Sequence, residues 1–441
     1  MNYIKLTFSL LLLISSAVTQ AADLKQVFKD ALTNDPIYKA TIAANNAQIE
    51  NESIALSLVL PTLSLSGNVA KNDTTTTIGA IKSPSDFESN GYSLSIKQTI
   101  YNHDYFTQLS QTDESTAIAK ANFVLAKQEL ILRVASSYYS VLGASDNLEF
   151  AVAEKKSIQQ QLHQTKQRFD VGLTAITDVH EAQSRFDQSV ASEIGAKNLL
   201  AINKEKLREI TGILYPVFKG LKENTPLLSP EPNDVKQWIT TAINTNQSLF
   251  VAAKNMSISK LEISRAQSGH YPKLDFIASK NTSNSTTSFD GINYIDIERE
   301  STTLSVQLSI ALYEGGRTSS RSQKAQYQYQ QARELYEQQR RQTERETRTA
   351  YLTVLADISQ VKALKQALAS SKIALKATQA GFEVGTRTAV DVLNSQRELF
   401  RAQRNYAQAR YEYILETLRL RLAAGTLLES DINNVNAWLV I

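Results

Sequence analysis

The sequence predicts a mainly α-helical chain with membrane-spanning β-strands. Four strands per chain, taken from three chains, would close a 12-stranded barrel that long helices continue as an α-helical tube. Three observations lead there. The chain repeats itself once, it carries two uninterrupted helical segments of about 60 residues, and each copy holds strands in strict apolar–polar alternation.

The repeat is visible at three separated places. Leu60-Pro61-Thr62-Leu63 resembles Tyr271-Pro272-Lys273-Leu274, Ser95–Tyr101 resembles Gln307–Tyr313, and DVGLTAITDVHEAQ (170–183) resembles EVGTRTAVDVLNSQ (383–396). Offsets of 211, 212 and 213 residues separate Pro61 from Pro272, Tyr101 from Tyr313 and Gly172 from Gly385. A nearly constant offset argues duplication. Each half reads as a helix (24–58 and 235–267), a strand (62–70 and 273–280), a polar loop, a second strand (92–101 and 303–313), a very long helix and a returning helix. The boundaries are a signal peptide at 1–22, a first repeat at 23–213, a proline-bearing linker at 214–234, a second repeat at 235–424 and a C-terminal segment at 425–441.

The long helices, Asp104–Phe169 and Arg317–Phe382, would each stretch roughly 90–100 Å and need neighbours along their whole length. Leu399, Tyr406, Tyr413 and Leu420 recur every seven residues on the last returning helix, with Ala402 and Ala409 between them. Helices alone would suit an antiparallel coiled-coil rod. The strands argue otherwise: Leu304, Val306, Leu308, Ile310 and Leu312 point one way and Thr303, Ser305, Gln307, Ser309 and Ala311 the other, over the length of a bilayer-crossing strand. Taken singly, such a strand also suits half of a soluble sandwich. Four strands cannot close a barrel, and open sheet edges are forbidden in lipid. Eight strands from two chains would be filled by side chains, whereas twelve from three leave room for a lumen.

Composition bounds the chemistry. The formal net charge of +3 draws the chain to no nucleic acid, and the absence of cysteine excludes disulfides, thiolate metal sites, Cys nucleophiles and lipidation at an N-terminal Cys. Lys5, the apolar run from Leu6 to Val18, and the small residues Ala21 and Ala22 read as a cleaved export signal, with a short membrane anchor as the alternative. His103, His163, His180 and His270 are scattered, and Ser184 stands where a zinc-binding HExxH pattern would need its second histidine. EGGRTSSR (314–321) lacks the lysine and spacing of a phosphate-binding loop. No enzymatic site, cofactor or metal site is expected.

At the helix reversals, Gly172 and Gly385 suit left-handed turns, and Asp391, three residues after Thr388, suits a capping box. These residues also carry a resemblance. The chain resembles the TolC family of outer-membrane channels over essentially its whole mature length, most closely at GTRTAVDVLNSQRELFRAQRNYAQARYEYI (385–414) and VGLTAITDV (171–179), and also at REITGILYP (208–216). The resemblance implies a homotrimer in the outer membrane of a Gram-negative bacterium, extending into the periplasm, with a small mixed equatorial domain from the linker and the C-terminal segment. It implies an exit duct for drugs or secreted polypeptides, partnered by a periplasmic adaptor (membrane fusion) protein and an inner-membrane transporter of the RND, ABC or MFS type, with outer-membrane lipid around the strands.

Site residues follow from the resemblance. Asp391 would line the periplasmic entrance as a ring of carboxylates, crowded enough to raise the pKa of some members. Asn394 stands where the family has a second aspartate, so cation binding should be weaker. Arg387 would lock the gate against Thr177 and Asp178. Phe382 replaces a family tyrosine, so a tie through its hydroxyl should be missing. The tips Val171-Gly172-Leu173 and Val384-Gly385-Thr386 would meet the adaptor.

Overall fold

A computed structural model describes residues 21–288 and 293–440. Most of the expected export signal therefore lies outside the described residues. The chain divides into two compact units. One comprises Met1–Lys39, Lys127–Ala242 and Glu346–Ile441, the other Ala40–Ala126 and Ile243–Arg345. Each unit draws on both halves of the repeat.

In the second unit, strands β1 (Thr62–Ile78), β2 (Ile81–Tyr101), β4 (Lys273–Ser288) and β5 (Tyr294–Ser309) form one antiparallel sheet in the order β1-β2-β4-β5. The register of β1 on β2 sets Leu63 opposite Ile96 and Leu65 opposite Leu94, and that of β4 on β5 sets Phe276 opposite Val306 and Leu274 opposite Leu308. Cross-strand partners share a face, so an apolar face runs across all four strands and a polar one lies behind it. Leu63, Leu65, Leu304, Val306 and Leu308 are all more than 60 % exposed. On the polar face Lys97 pairs with Asp275 at 3.0 Å, and Ser64 bonds Ser95 at 2.7 Å. Strands β1 and β5 are the edges of this sheet, each paired on one side among the described residues.

Two expectations are corrected here. The polar segments 71–91 and 280–300 are not loops. Their described residues continue the hairpins, because runs such as Thr74–Thr77 are strong strand formers and the backbone ladder needs no apolar side chains. The last strand stops at Ser309 rather than Tyr313, so Ile310 and Leu312 lie beyond it, both still exposed.

The long helices match their expected bounds within a residue: α3 spans His103–Asp170 and α7 Arg317–Glu383. The first helix of each half is two helices instead. α1 (Leu24–Asn34) and α2 (Pro36–Ser57) part at Asp35, and α5 (Val235–Thr245) and α6 (Gln247–Gln267) part at Asn246. Both hinge residues are extended and accept a hydrogen bond from the next helix: the Tyr38 amide on Asp35 at 2.7 Å and the Leu249 amide on Asn246 at 3.0 Å. Pro36 at the first position of α2 enforces the first break. Asp35 is 1 % exposed, and Arg133 reaches its other oxygen at 3.0 Å, supplying the charge partner that burial demands.

The linker and the C-terminus meet in the first unit. β3 (Gly220–Leu221) pairs with β6 (Leu439–Val440), and Ala22 forms a parallel bridge with Phe218. The Tyr138 hydroxyl donates to the carbonyls of Ala22 and Lys219 at 3.1 and 2.8 Å, tying this small sheet to α3. The returning helices are α4 (Ile176–Thr211) and α8 (Ala389–Ala423), followed by α9 (Glu429–Asn436). On α8, Tyr413 and Leu420 of the expected heptad are buried, as is Ala409 one turn before Tyr413. No helix among the described residues is long and apolar enough to cross a membrane.

Candidate functional site at the helical tips

Both tips close by one backbone device. After α3 the Gly172 amide donates to the Phe169 carbonyl at 2.9 Å and the Leu173 amide to the Arg168 carbonyl at 2.8 Å. After α7 the Gly385 amide donates to Phe382 at 3.2 Å and the Thr386 amide to Gly381 at 2.8 Å. This double closure satisfies the orphan carbonyls of a helix end and needs a left-handed residue. Gly172 and Gly385 supply it, with φ of 75° and 80°. A Cβ at either would meet nothing within 4 Å, so backbone conformation rather than space selects glycine.

The returning helices start differently. At α8 the Thr388 hydroxyl accepts from the Asp391 amide at 3.2 Å, while Asp391 accepts from the Thr388 amide at 3.0 Å, completing a capping box. The amide and hydroxyl of Thr388, with the charge of Arg387 added, hold the Asp391 carboxyl below its ordinary value. Within one chain the cap therefore favours ionised Asp391. At α4 the capping position is Ala175, which has no side-chain oxygen. Thr174 donates its hydroxyl to Asp178 instead.

The apolar flanks of both glycines are bare: Val171, Leu173 and Val384 are 68 %, 74 % and 76 % exposed. Asn394 lies one turn beyond Asp391 on α8, where both side chains are partly exposed. Beneath the tips, Ile158 and Leu162 of α3, Ala182 of α4 and Leu393 of α8 form one apolar cluster.

The expected tie between tips is not the one the chain makes. Among the described residues the Arg387 side chain has no hydrogen bond or ion pair, to Thr177, Asp178 or any other group. It folds back over Gly381, where a Cβ would stand 2.8 Å from the Arg387 Cγ. Phe382, expected to remove a tie, carries one. The Arg168 guanidinium lies over its ring, 4.1 Å from the centroid, and donates to its carbonyl at 3.1 Å. Phe382 is itself packed against Ala389 and Val392 in the core of the second tip. Arg168 therefore clasps the two hairpins of one chain. Sequence reasoning missed it because an arginine in a helix's last turn suits the helix dipole wherever it occurs, and its acceptor is a backbone carbonyl 214 residues away.

Comparison with known proteins agrees with this architecture. The family model described as outer membrane efflux protein matches twice, over residues 27–213 and 238–426, one match per repeat. The chain is 36 % identical over 434 residues to the outer membrane protein TolC of Vibrio cholerae serotype O1, covering 97 % of this chain and 96 % of that protein. It is 26 % identical over 413 residues to the alkaline protease secretion protein AprF of Pseudomonas aeruginosa, covering 92 % and 85 %. Among solved structures, the outer membrane protein VceC of Vibrio cholerae superposes with a TM-score of 0.76 at 17 % identity, covering 91 % of this chain and 96 % of that one.

Proposed function

Since the chain belongs to the outer membrane efflux protein family, we propose that it is the outer-membrane exit duct of tripartite export systems, passing drugs or secreted polypeptides from the periplasm to the outside. The observation that carries this reading is the four-stranded sheet with one exposed apolar face and two open edges. In lipid such edges must be paired, and pairing β5 of one chain with β1 of the next closes a ring. Three chains give twelve strands, enough for a lumen. The polar face carrying the Lys97–Asp275 pair then lines the passage.

The tips form the periplasmic entrance. Asp391 from three chains makes the charged ring, and Asn394 adds acceptors without charge. Arg387, whose side chain is exposed and unbonded within its own chain, locks against Thr177 and Asp178 of a neighbouring chain. That division of labour leaves Arg168 to hold the two hairpins of each chain together. The bare residues Val171, Leu173 and Val384 offer an apolar surface to a periplasmic adaptor, which couples the duct to an inner-membrane transporter. The likeness to AprF, an alkaline protease secretion protein, supports polypeptide cargo beside drugs. Residues 1–22 act as the export signal, and the β3–β6 sheet belongs to an equatorial domain formed by 214–234 and 425–441.

Purified protein in a planar bilayer tests the reading. Discrete conductance steps that multivalent cations block from the periplasmic side are expected. A protein that inserts without conducting would overturn it.

A further inference from the structure

A cavity of about 770 Å³ lies in the first unit between α3, α4, α7 and α8. Its size falls in the range that encloses a drug-sized molecule, roughly 300–1,000 Å³. Its apolar wall includes Tyr139 and Phe150 of α3, Leu199 of α4, and Tyr411 and Leu415 of α8. The Tyr139 and Tyr411 rings stand 5.6 Å apart, tilted by 31°.

Acidic side chains are set into this wall. The two arginines that line it are already engaged: Arg404 with Glu154 at 2.9 Å, and Arg419 with Glu416. Among the described residues Asp146, Asp357 and Glu412 form no ion pair. Asp146 accepts from the Tyr411 hydroxyl at 2.7 Å, and Glu412 from the Gln408 amide at 2.8 Å. Asp357 differs, because its Oδ2 is buried and has no hydrogen-bond partner. Across the same cavity Tyr139 is 1 % exposed, and its hydroxyl is also without a partner. Two orphaned polar groups in one cavity are costly to leave unmet, and a bound donor would relieve both. Burial, with Glu416 and Glu412 adding and Arg419 opposing, pushes the Asp357 carboxyl up to about 6.

We propose that this cavity binds an organic cation: a protonated amine whose N–H reaches Asp357 and the Tyr139 hydroxyl and whose apolar body lies against Tyr139, Tyr411 and Phe150. Aromatic faces beside a carboxylate attract such a charge, whereas a neutral amphiphile would leave Asp357 unmet. A metal ion fits less well, since no group of three metal-ligating side chains converges among the described residues. The site goes beyond the duct reading and holds whether or not the chain conducts.

Quinacrine, a fluorescent acridine bearing a protonated tertiary amine, is a suitable probe. Its binding to the full-length protein in detergent should be saturable. Asp357→Asn should weaken it at least about tenfold and Tyr139→Phe about threefold, with the thermal unfolding midpoint of each variant checked alongside. Leu199→Trp, which fills the cavity from a partly exposed position, should abolish binding by a route that leaves Asp357 in place. The neutral amphiphile N-phenyl-1-naphthylamine should show no dependence on Asp357. Non-saturable uptake, or equal affinity in the wild type, Asp357→Asn and Leu199→Trp proteins, would overturn the proposal.

Discussion

The two tips descend from one duplicated segment and share a backbone, yet their side chains do different work. Gly172 and Gly385 close their helices through the same pair of hydrogen bonds. Beyond that point the tips part. The second tip, after α7, starts its returning helix with the Thr388–Asp391 capping box, whereas the first tip, after α3, has Ala175 at that place and turns Thr174 onto Asp178. Gly381 of the second tip is overlaid by the Arg387 side chain, and its counterpart in the first tip is Arg168, which reaches across to Phe382. Duplication kept the turn and freed the flanking side chains. One copy kept the cap and acquired a buried aromatic acceptor, and the other supplied the cation that holds it.

Removing the clasp should produce the largest effect. Arg168→Ala deletes a charged hydrogen bond to a carbonyl and a cation–π contact, together about 2–3 kcal/mol of coupling between the hairpins. Amide exchange at both tips should accelerate together, and resting conductance in bilayers should rise. Arg387→Ser should raise conductance without speeding exchange inside a chain, if the lock proposed for it joins neighbours. If both substitutions gave the same exchange pattern, the division between clasp and lock would be lost.

The shared turn comes next in size. Gly172→Ala and Gly385→Ala should each cost about 1–2 kcal/mol and should cost the same, since neither added Cβ meets a neighbour and only the left-handed backbone is penalised. A clear inequality in unfolding measurements would show that the tips are not equivalent even in their turns. Smaller still is the cap. Thr388→Ala should cost about 1 kcal/mol, while Ala175→Thr should stabilise the first tip by installing the hydroxyl it lacks.

Acid titration separates the tips most finely. Asp391 has a depressed pKa, so its contribution is present above the unfolded-state value and is lost as pH falls through the lower folded-state value. Protection of the Thr388 and Asp391 amides, relative to the unstructured exchange rate at the same pH, should fall only below about pH 4, where carboxylates begin to protonate. Thr388→Ala should move that onset upward.

Much of the fold was legible because it is periodic. The constant repeat offset, the alternation around Leu304 and the two helix reversals each leave a regular trace in the residues. Features that depend on a single residue or on distant backbone were not. Asp35 and Asn246 split helices whose apolar content reads straight through them. Thr74–Thr77 read as loop because they are polar, although the strand continues there. The β3–β6 pair is two residues long on each side, too short for any pattern to announce. At the site, Gly172, Gly385 and the Asp391 cap were readable from local spacing. The Arg168–Phe382 clasp was not, because one partner is a main-chain carbonyl and identity at position 382 fixes only the ring.

The proposed duct requires that β1 and β5 be edges completed by other copies of the chain. The natural absence of cysteine makes this directly measurable. Cysteines placed in pairs, one scanned along Thr62–Val69 of β1 and one along Thr302–Leu308 of β5, can be oxidised in the membrane and resolved by size. Some pairs should give cross-linked species ending at three chains, closed into a ring, with no larger product. Monomers at every pair, or a ladder that continues past three, would contradict the proposed duct.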